Sequence, residues 1–262
     1  MIAGIAYVAR GDERPRYYAN DHSRDRVSIA PQAMPLTNGR AARPTLAHHG
    51  FALVTHDSAV ADWHDAVQVA AVHPGEIIAL LTRATQADHI IVTSPGILRF
   101  SERSAHSGTG NNSAPARFAH VDVSTPTAIR FAERSAPEGR TPVRFAHFNV
   151  WRALSPPPQD VPLAVCDATS VAAHDLIAAD AIFDEPGKPD WGFEGYVVAH
   201  NPAHRWFWFP DMRSQDALIF RTYDSATPES TCVPHVAFDN PACPPDAPPR
   251  ISIEMRASAY WF

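Results

Sequence analysis

From residue 117 to the C-terminus the chain is a succession of short apolar, β-branched and aromatic runs, each closed by turn-forming residues. The runs lie at 117–123, 142–151, 162–167, 194–200, 204–209, 217–223, 233–238 and 250–261. Eight short strands separated by turns predict a sandwich or barrel, not a helix bundle. The 25 prolines sharpen this expectation, because proline is tolerated in loops and at strand edges but breaks helix interiors. The expected fold is mainly β with flanking N-terminal helices, a double-stranded β-helix (jelly roll). A single domain over 1–262 is expected, with 1–90 as an arm and buttressing helices and 90–262 as the core.

The N-terminal part is read from its local signals. Met1–Val8 is apolar and reads as a strand within a wrapping arm that reaches residue 50. Gly50–His56 reads as a strand, and Asp57 or Ser58 is placed to cap a helix through Val69. A second helix is expected from Pro74 to Ala84, with Ile77, Ile78, Leu80 and Leu81 as its apolar positions. His89–Thr93 reads as a strand, and the Ser/Gly/Asn-rich stretch 101–116 as a mobile loop.

Composition excludes several classes. The net charge of -6 argues against a nucleic-acid or anionic-membrane partner, both of which need a basic face. No apolar run approaches the roughly 20 residues that span a bilayer. Three cysteines with no C-x-x-C pair fit reduced thiols and a cytoplasmic location.

The chemistry concentrates on His120-Val-Asp122 and His235. In a strand, residues i and i+2 share a face, so one imidazole and one carboxylate converge on a single metal. A distant second histidine completes a facial triad, which leaves positions open for a bidentate cosubstrate and O2 on iron(II). An internal echo provides a comparison. Arg117-Phe-Ala-His120 recurs as Arg144-Phe-Ala-His147, and Arg99-Phe-Ser-Glu-Arg-Ser-Ala105 as Arg130-Phe-Ala-Glu-Arg-Ser-Ala136. The second copy continues as His147-Phe-Asn149, with an amide that cannot neutralise a metal, so His120 and Asp122 are preferred. Fifteen residues past His235 comes Arg250-Ile-Ser-Ile-Glu-Met-Arg256, where Arg250 and Ser252 share a strand face and can hold a carboxylate.

At these residues the sequence resembles the 2-oxoglutarate oxygenase superfamily. The resemblance implies that His120, Asp122 and His235 hold Fe(II) and that Arg250 and Ser252 clamp 2-oxoglutarate, with O2 as co-reactant. The R-x5-R spacing is similar to an AlkB-like branch, which makes Arg256 a further cosubstrate candidate beside the reading of a rim salt bridge. Phe148-Asn-Val-Trp-Arg152, Asn201-Pro-Ala-His-Arg-Trp206, Pro234-His-Val-Ala-Phe238 and Pro244-Pro-Asp-Ala-Pro-Pro-Arg-Ile-Ser-Ile-Glu254 resemble the asaB hydroxylase/desaturase family, which includes CmcJ/NvfI-type proteins and a gibberellin desaturase. That family implies hydroxylation, desaturation or oxidative cyclisation of a small secondary metabolite.

Asn149, Arg152 and Tyr223 are candidate substrate contacts. Arg152 also reads as a buried strand tie to Asp167 or Asp211, and His204 as structural. Two other classes compete with the oxygenase. A redox-inert metal hydrolase would use the same triad but leaves Arg250-x-Ser252 unexplained. A non-catalytic jelly-roll binding module would need no iron. A homodimer is also expected from the aromatic C-terminal strands.

Overall fold

The computed structural model describes residues 1–227 and 232–262. Its strands are β1 (Ile2–Val8), β2 (Arg16–Tyr18), β3 (Ile29–Asn38), β4 (Phe51–Thr55), β5 (His89–Val92), β6 (Ile97–Phe100), β7 (His120–Val121), β8 (Arg144–Ala153), β9 (Leu163–Cys166), β10 (Leu176–Phe183), β11 (Trp191–Val198), β12 (Trp206–Trp208), β13 (Asp216–Asp224), β14 (His235–Ala237) and β15 (Ile251–Trp261). Four helices accompany them: α1 (Gly39–Ala42), α2 (Leu46–His49), α3 (Ala66–Thr85) and α4 (Thr125–Ser135).

Two curled sheets face each other in a jelly roll. The larger runs β1-β3-β12-β9-β14-β7-β11-β10-β2, and the smaller runs β4-β13-β8-β15-β5 with β6 also on β15. The alternation of β15 and β8 explains the layering, since successive side chains of a strand point to opposite faces. Val150, Ile253, Met255 and Ala257 pack outward against Ile77, Leu80 and Leu81 of α3. Trp151, Ala153, Leu218 and Phe220 face inward and meet Leu163, Val165 and Phe207 of the larger sheet. Beyond the larger sheet, Ile5, Tyr7, Met34 and Leu36 pack with Ala119, Ala164, Cys166 and Trp206.

Several expectations change. The two helices expected before residue 85 are one, starting at Ala66, with Pro74 inside it. The Asp65 carboxylate accepts from Val67 N and Gln68 N and sets that start. Residues 58–62 stay irregular because α3 satisfies their amides. Glu76 accepts from Ala59 N, and Gln68 Oε1 accepts from Ala61 N and Asp62 N. Helix α4 falls between the expected strands 117–123 and 142–151, where Ser124 caps it and Pro126 occupies its first turn. Strand β10 was also not anticipated. It pairs with β11 along its length and takes β2 in parallel on its other edge.

Candidate metal centre and its cavity

Strand β7 brings His120 into register with His235 of β14 on one side and with Val197 of β11 on the other. The two imidazoles therefore stand side by side, with ring centroids 4.2 Å apart. Asp122 follows two residues on, so its carboxylate returns to the face of His120. The Asp122 carboxylate lies 3.9 Å from His120 Nε2 and 4.0 Å from His235 Nε2. One ligand atom from each of the three residues lies within 4.8 Å of the others, and all three side chains are buried. β11 crosses close beneath, where a Cβ on Gly195 would come within 2.7 Å of the Asp122 carbonyl oxygen. Glycine is thus required there for the strands to approach.

Each ligand is oriented by a second contact. His120 Nδ1–H donates to Phe118 O at 3.0 Å and His235 Nδ1–H to Val233 O at 3.2 Å. These bonds fix the tautomer and leave both Nε2 lone pairs aimed at the centre. Burial, reinforced by the neighbouring His235, pushes His120 down to about 3. His235 is likewise lowered, by burial first. Both imidazoles are therefore neutral at pH 7, the form a metal requires. Burial works to raise the Asp122 carboxyl, but Arg256, the two imidazoles and the Asn149 amide outweigh it and hold the group well below the carboxylate range. Asn149 Nδ2 donates to Asp122 Oδ2 at 2.6 Å, and Arg256 Nη2 donates to Asp122 Oδ1 at 3.1 Å.

A second cluster lies along β15. Arg250 and Ser252 are 1% and 0% exposed, yet Arg250 Nε, Arg250 Nη2 and Ser252 Oγ have no hydrogen-bond partner among the described residues. Orphaned buried donors are rare in native interiors and carry a desolvation cost. Their chemistry fits a carboxylate, which accepts a guanidinium fork and a hydroxyl together. The Arg250 guanidinium sits 5.8 Å from the Trp151 ring, and burial lowers Arg250 to about 10, still charged at pH 7. Arg256, further along the same face, is held between Glu254 and Asp122 at 3.0 and 3.1 Å. It is thus the rim ion pair and a neighbour of the triad at once.

Asp122, Asn149 and Arg256 also line a cavity of about 890 Å³. One wall is aromatic, with Phe131, Phe183, Trp191 and Phe193. The other is aliphatic, with Ile91, Val92, Ile97 and Leu98. Stretch 101–116 is a loop of successive turns, and its Gly110–Ser113 portion borders the cavity.

The structure does not bring every candidate together. Arg152 points to the α3 side of β8 and donates to His56 O and Ser214 O, with Nη2 2.6 Å from His56 Nδ1. It ties strands there, through backbone carbonyls and not through Asp167 or Asp211. Odd and even positions of β8 face opposite ways, so Asn149 reaches the triad and Arg152 cannot. Tyr223 stacks on Phe145 at 5.6 Å and packs with Val123 and Ala128, whereas His147 and Thr222 border the cavity. His147 is itself occupied: Nε2–H donates to Ala128 O and Nδ1 accepts from Ser258 Oγ. His204 joins Tyr7 and Asp175 in a buried network, as a structural residue does. Sequence reading gave Arg99 no role at the site, although it stands opposite Ser252 on the inner face.

With this geometry in hand, relatives are informative. A family model described as oxidoreductase/YMDC permease-like domain matches residues 5–260. The chain belongs to this family. It is 31% identical over 187 residues to the Fe(II)/2-oxoglutarate-dependent dioxygenase nvfI of Aspergillus novofumigatus, covering 70% of the chain and 64% of that protein. It is 33% identical over 128 residues to hydroxylase/desaturase asaB of Aspergillus flavus, covering 45% of the chain and 56% of that protein. The matched stretches thus span less than two thirds of these relatives. The solved structure of the iron and alpha-ketoglutarate-dependent endoperoxidase NvfI superimposes with a TM-score of 0.86 at 26% identity, over 99% of this chain and 97% of that one.

Proposed function

We propose that the protein is an Fe(II)/2-oxoglutarate-dependent oxygenase that hydroxylates, desaturates or oxidatively cyclises a small metabolite. The observation that carries this reading is the pairing of two features inside the roll, one on each sheet. A His-His-Asp cluster on the larger sheet has both Nε2 atoms clear of backbone hydrogen bonds, and a fully buried Arg250–Ser252 pair on the smaller sheet has donors that no atom of the described residues satisfies. A metal hydrolase uses the first and has no use for the second. A non-catalytic binding module has no use for the triad.

Under this reading His120, Asp122 and His235 hold the iron, and Arg250 with Ser252 holds the far carboxylate of 2-oxoglutarate. When bound, iron(II) with 2-oxoglutarate and O2 supplies the oxidising chemistry that removes hydrogen from carbon. The chain does the rest. Asn149 and Arg256 keep the Asp122 carboxylate ionised and aimed. The aromatic and aliphatic walls take up the substrate and exclude water from the reacting carbon. Those walls and the acidic net charge favour a small organic substrate over nucleic acid. No helix among the described residues is long and apolar enough to cross a membrane. The three cysteines are free, Cys166 and Cys232 being buried, which supports a reducing, cytoplasmic setting. The test is succinate formation from 2-oxoglutarate with a panel of small metabolites. Succinate that appears only with added Fe(II) is expected, and hydrolysis supported by Zn(II) without 2-oxoglutarate would overturn the reading.

A further inference from the structure

Arg99 has no role so far, yet its position is unusual for an arginine. It stands on β6 directly opposite Ser252 of β15, so both side chains leave the sheet on the same face. The register sets it beside Ser252, between the Arg250 end of the strand and Glu254, which holds Arg256.

Three cations share this interior face. Arg256 is neutralised by Glu254 and Asp122. Arg99 and Arg250 make no ion pair among the described residues, and each acts on the other as a like charge. Arg250 is fully buried and Arg99 half-buried, and two such neighbouring cations repel unless an anion joins them. Arg99 is also split in its use. Nη1 donates to Asn112 O at 3.0 Å, Asn112 Oδ1 at 2.9 Å and Ala114 O at 2.7 Å. Its Nε and Nη2 donate to no atom of the described residues. One edge of the guanidinium fastens the turn that borders the cavity, and the other is available to an anion.

We propose that Arg99 is a second cationic ligand of the distal carboxylate of the 2-oxoacid, acting beside Arg250 and Ser252. The carboxylate is then held from two strands, β6 and β15. Because the same guanidinium grips Asn112 and Ala114, occupancy of the anion site also steadies the 110–114 turn over the cavity mouth. This inference rests on the oxygenase reading, and its test separates the two.

The experiment is calorimetric titration of Mn(II)-loaded protein with 2-oxoglutarate and with 2-oxobutyrate, which lacks the distal carboxylate. Arg99→Met is expected to weaken 2-oxoglutarate about 10- to 100-fold, as loss of one partner of a buried charge pair does. It leaves 2-oxobutyrate within about twofold, since the lost partner is the carboxylate that ligand lacks. Arg99→Lys keeps the charge but not the fork, and is expected to weaken 2-oxoglutarate several-fold; it decides the matter if Arg99→Met does not fold. Asn112→Ala cuts the grip on the turn and is expected to leave the ratio of the two affinities unchanged. Wild-type affinity for 2-oxoglutarate in the Arg99 variants, or equal losses for both ligands, would overturn the proposal while sparing the oxygenase reading. Wild-type protein that binds no 2-oxoglutarate would overturn both.

Discussion

Asn149 offers the sharpest test of how the triad is built. Its amide donates to Asp122 Oδ2 at 2.6 Å inside a buried site. Replacing it with alanine has two opposed effects. The carboxylate becomes more basic, which favours a metal, and loses its fixed orientation, which disfavours one. Basicity gains little here, because Arg256 and the neighbouring imidazoles keep Asp122 ionised at pH 7 in either case. Orientation therefore decides the sign. A hydrogen bond to a charged group is worth about 1.5–3 kcal/mol, and second contacts of metal ligands typically carry about 10- to 100-fold in affinity. Asn149→Ala is thus expected to weaken Fe(II) binding about 10- to 100-fold in anaerobic calorimetry. The melting temperature of the metal-free protein should move less than in a core truncation, because a charged group loses one of two partners and keeps Arg256. Unchanged or tighter iron binding would refute the argument that orientation outweighs basicity.

Three further outcomes are expected. Arg250→Met removes the buried cation with orphaned donors, and 2-oxoglutarate binding should fall at least about 100-fold while Fe(II) binding stays within a few-fold. Loss of iron binding instead would mean that Arg250 serves the fold and not the ligand. Arg152→Met should lower stability by about 2–4 kcal/mol in urea, since it strips three buried contacts. It should leave both ligand affinities intact; altered 2-oxoglutarate affinity would return Arg152 to the site. Acidification should destabilise the metal-free protein. His120 has a folded pKa of about 3, below its unfolded value, so the unfolded chain binds more protons and stability falls as pH drops below about 6.5. Between pH 7 and 5 this one group removes about 2 kcal/mol. His120→Gln should therefore lose that much less than wild type over the same range, and an identical loss would contradict the buried neutral imidazole.

Much of the site was legible in the sequence because strand periodicity carries it. The i, i+2 rule sets His120 with Asp122, whose ligand atoms do converge, and Arg250 with Ser252, both of which are fully buried. The same rule, applied to Asn149 and Arg152, would have separated them, since they differ by three positions along one strand. The echo shows where local reading stops. Arg99-Phe-Ser-Glu-Arg-Ser-Ala105 ends a strand and enters turns, whereas Arg130-Phe-Ala-Glu-Arg-Ser-Ala136 lies largely in α4. The near-identical strings diverge because the second follows Ser124 and Pro126, which start a helix, and the first is claimed by the edge of β15. Arg99 was illegible for a related reason. Its place depends on which strand the chain sets beside β15, and that partner is not written in the segment.

The central claim is that the interior of the roll, between its two sheets, holds a metal and a 2-oxoacid together. Anaerobic optical titration of the metal-free protein with Fe(II) and then 2-oxoglutarate tests it most directly. The account predicts a weak visible charge-transfer band that needs both additions, is absent in His235→Ala and requires far more 2-oxoglutarate in Arg250→Met. A folded, iron-loaded protein that develops no band with 2-oxoglutarate would contradict it.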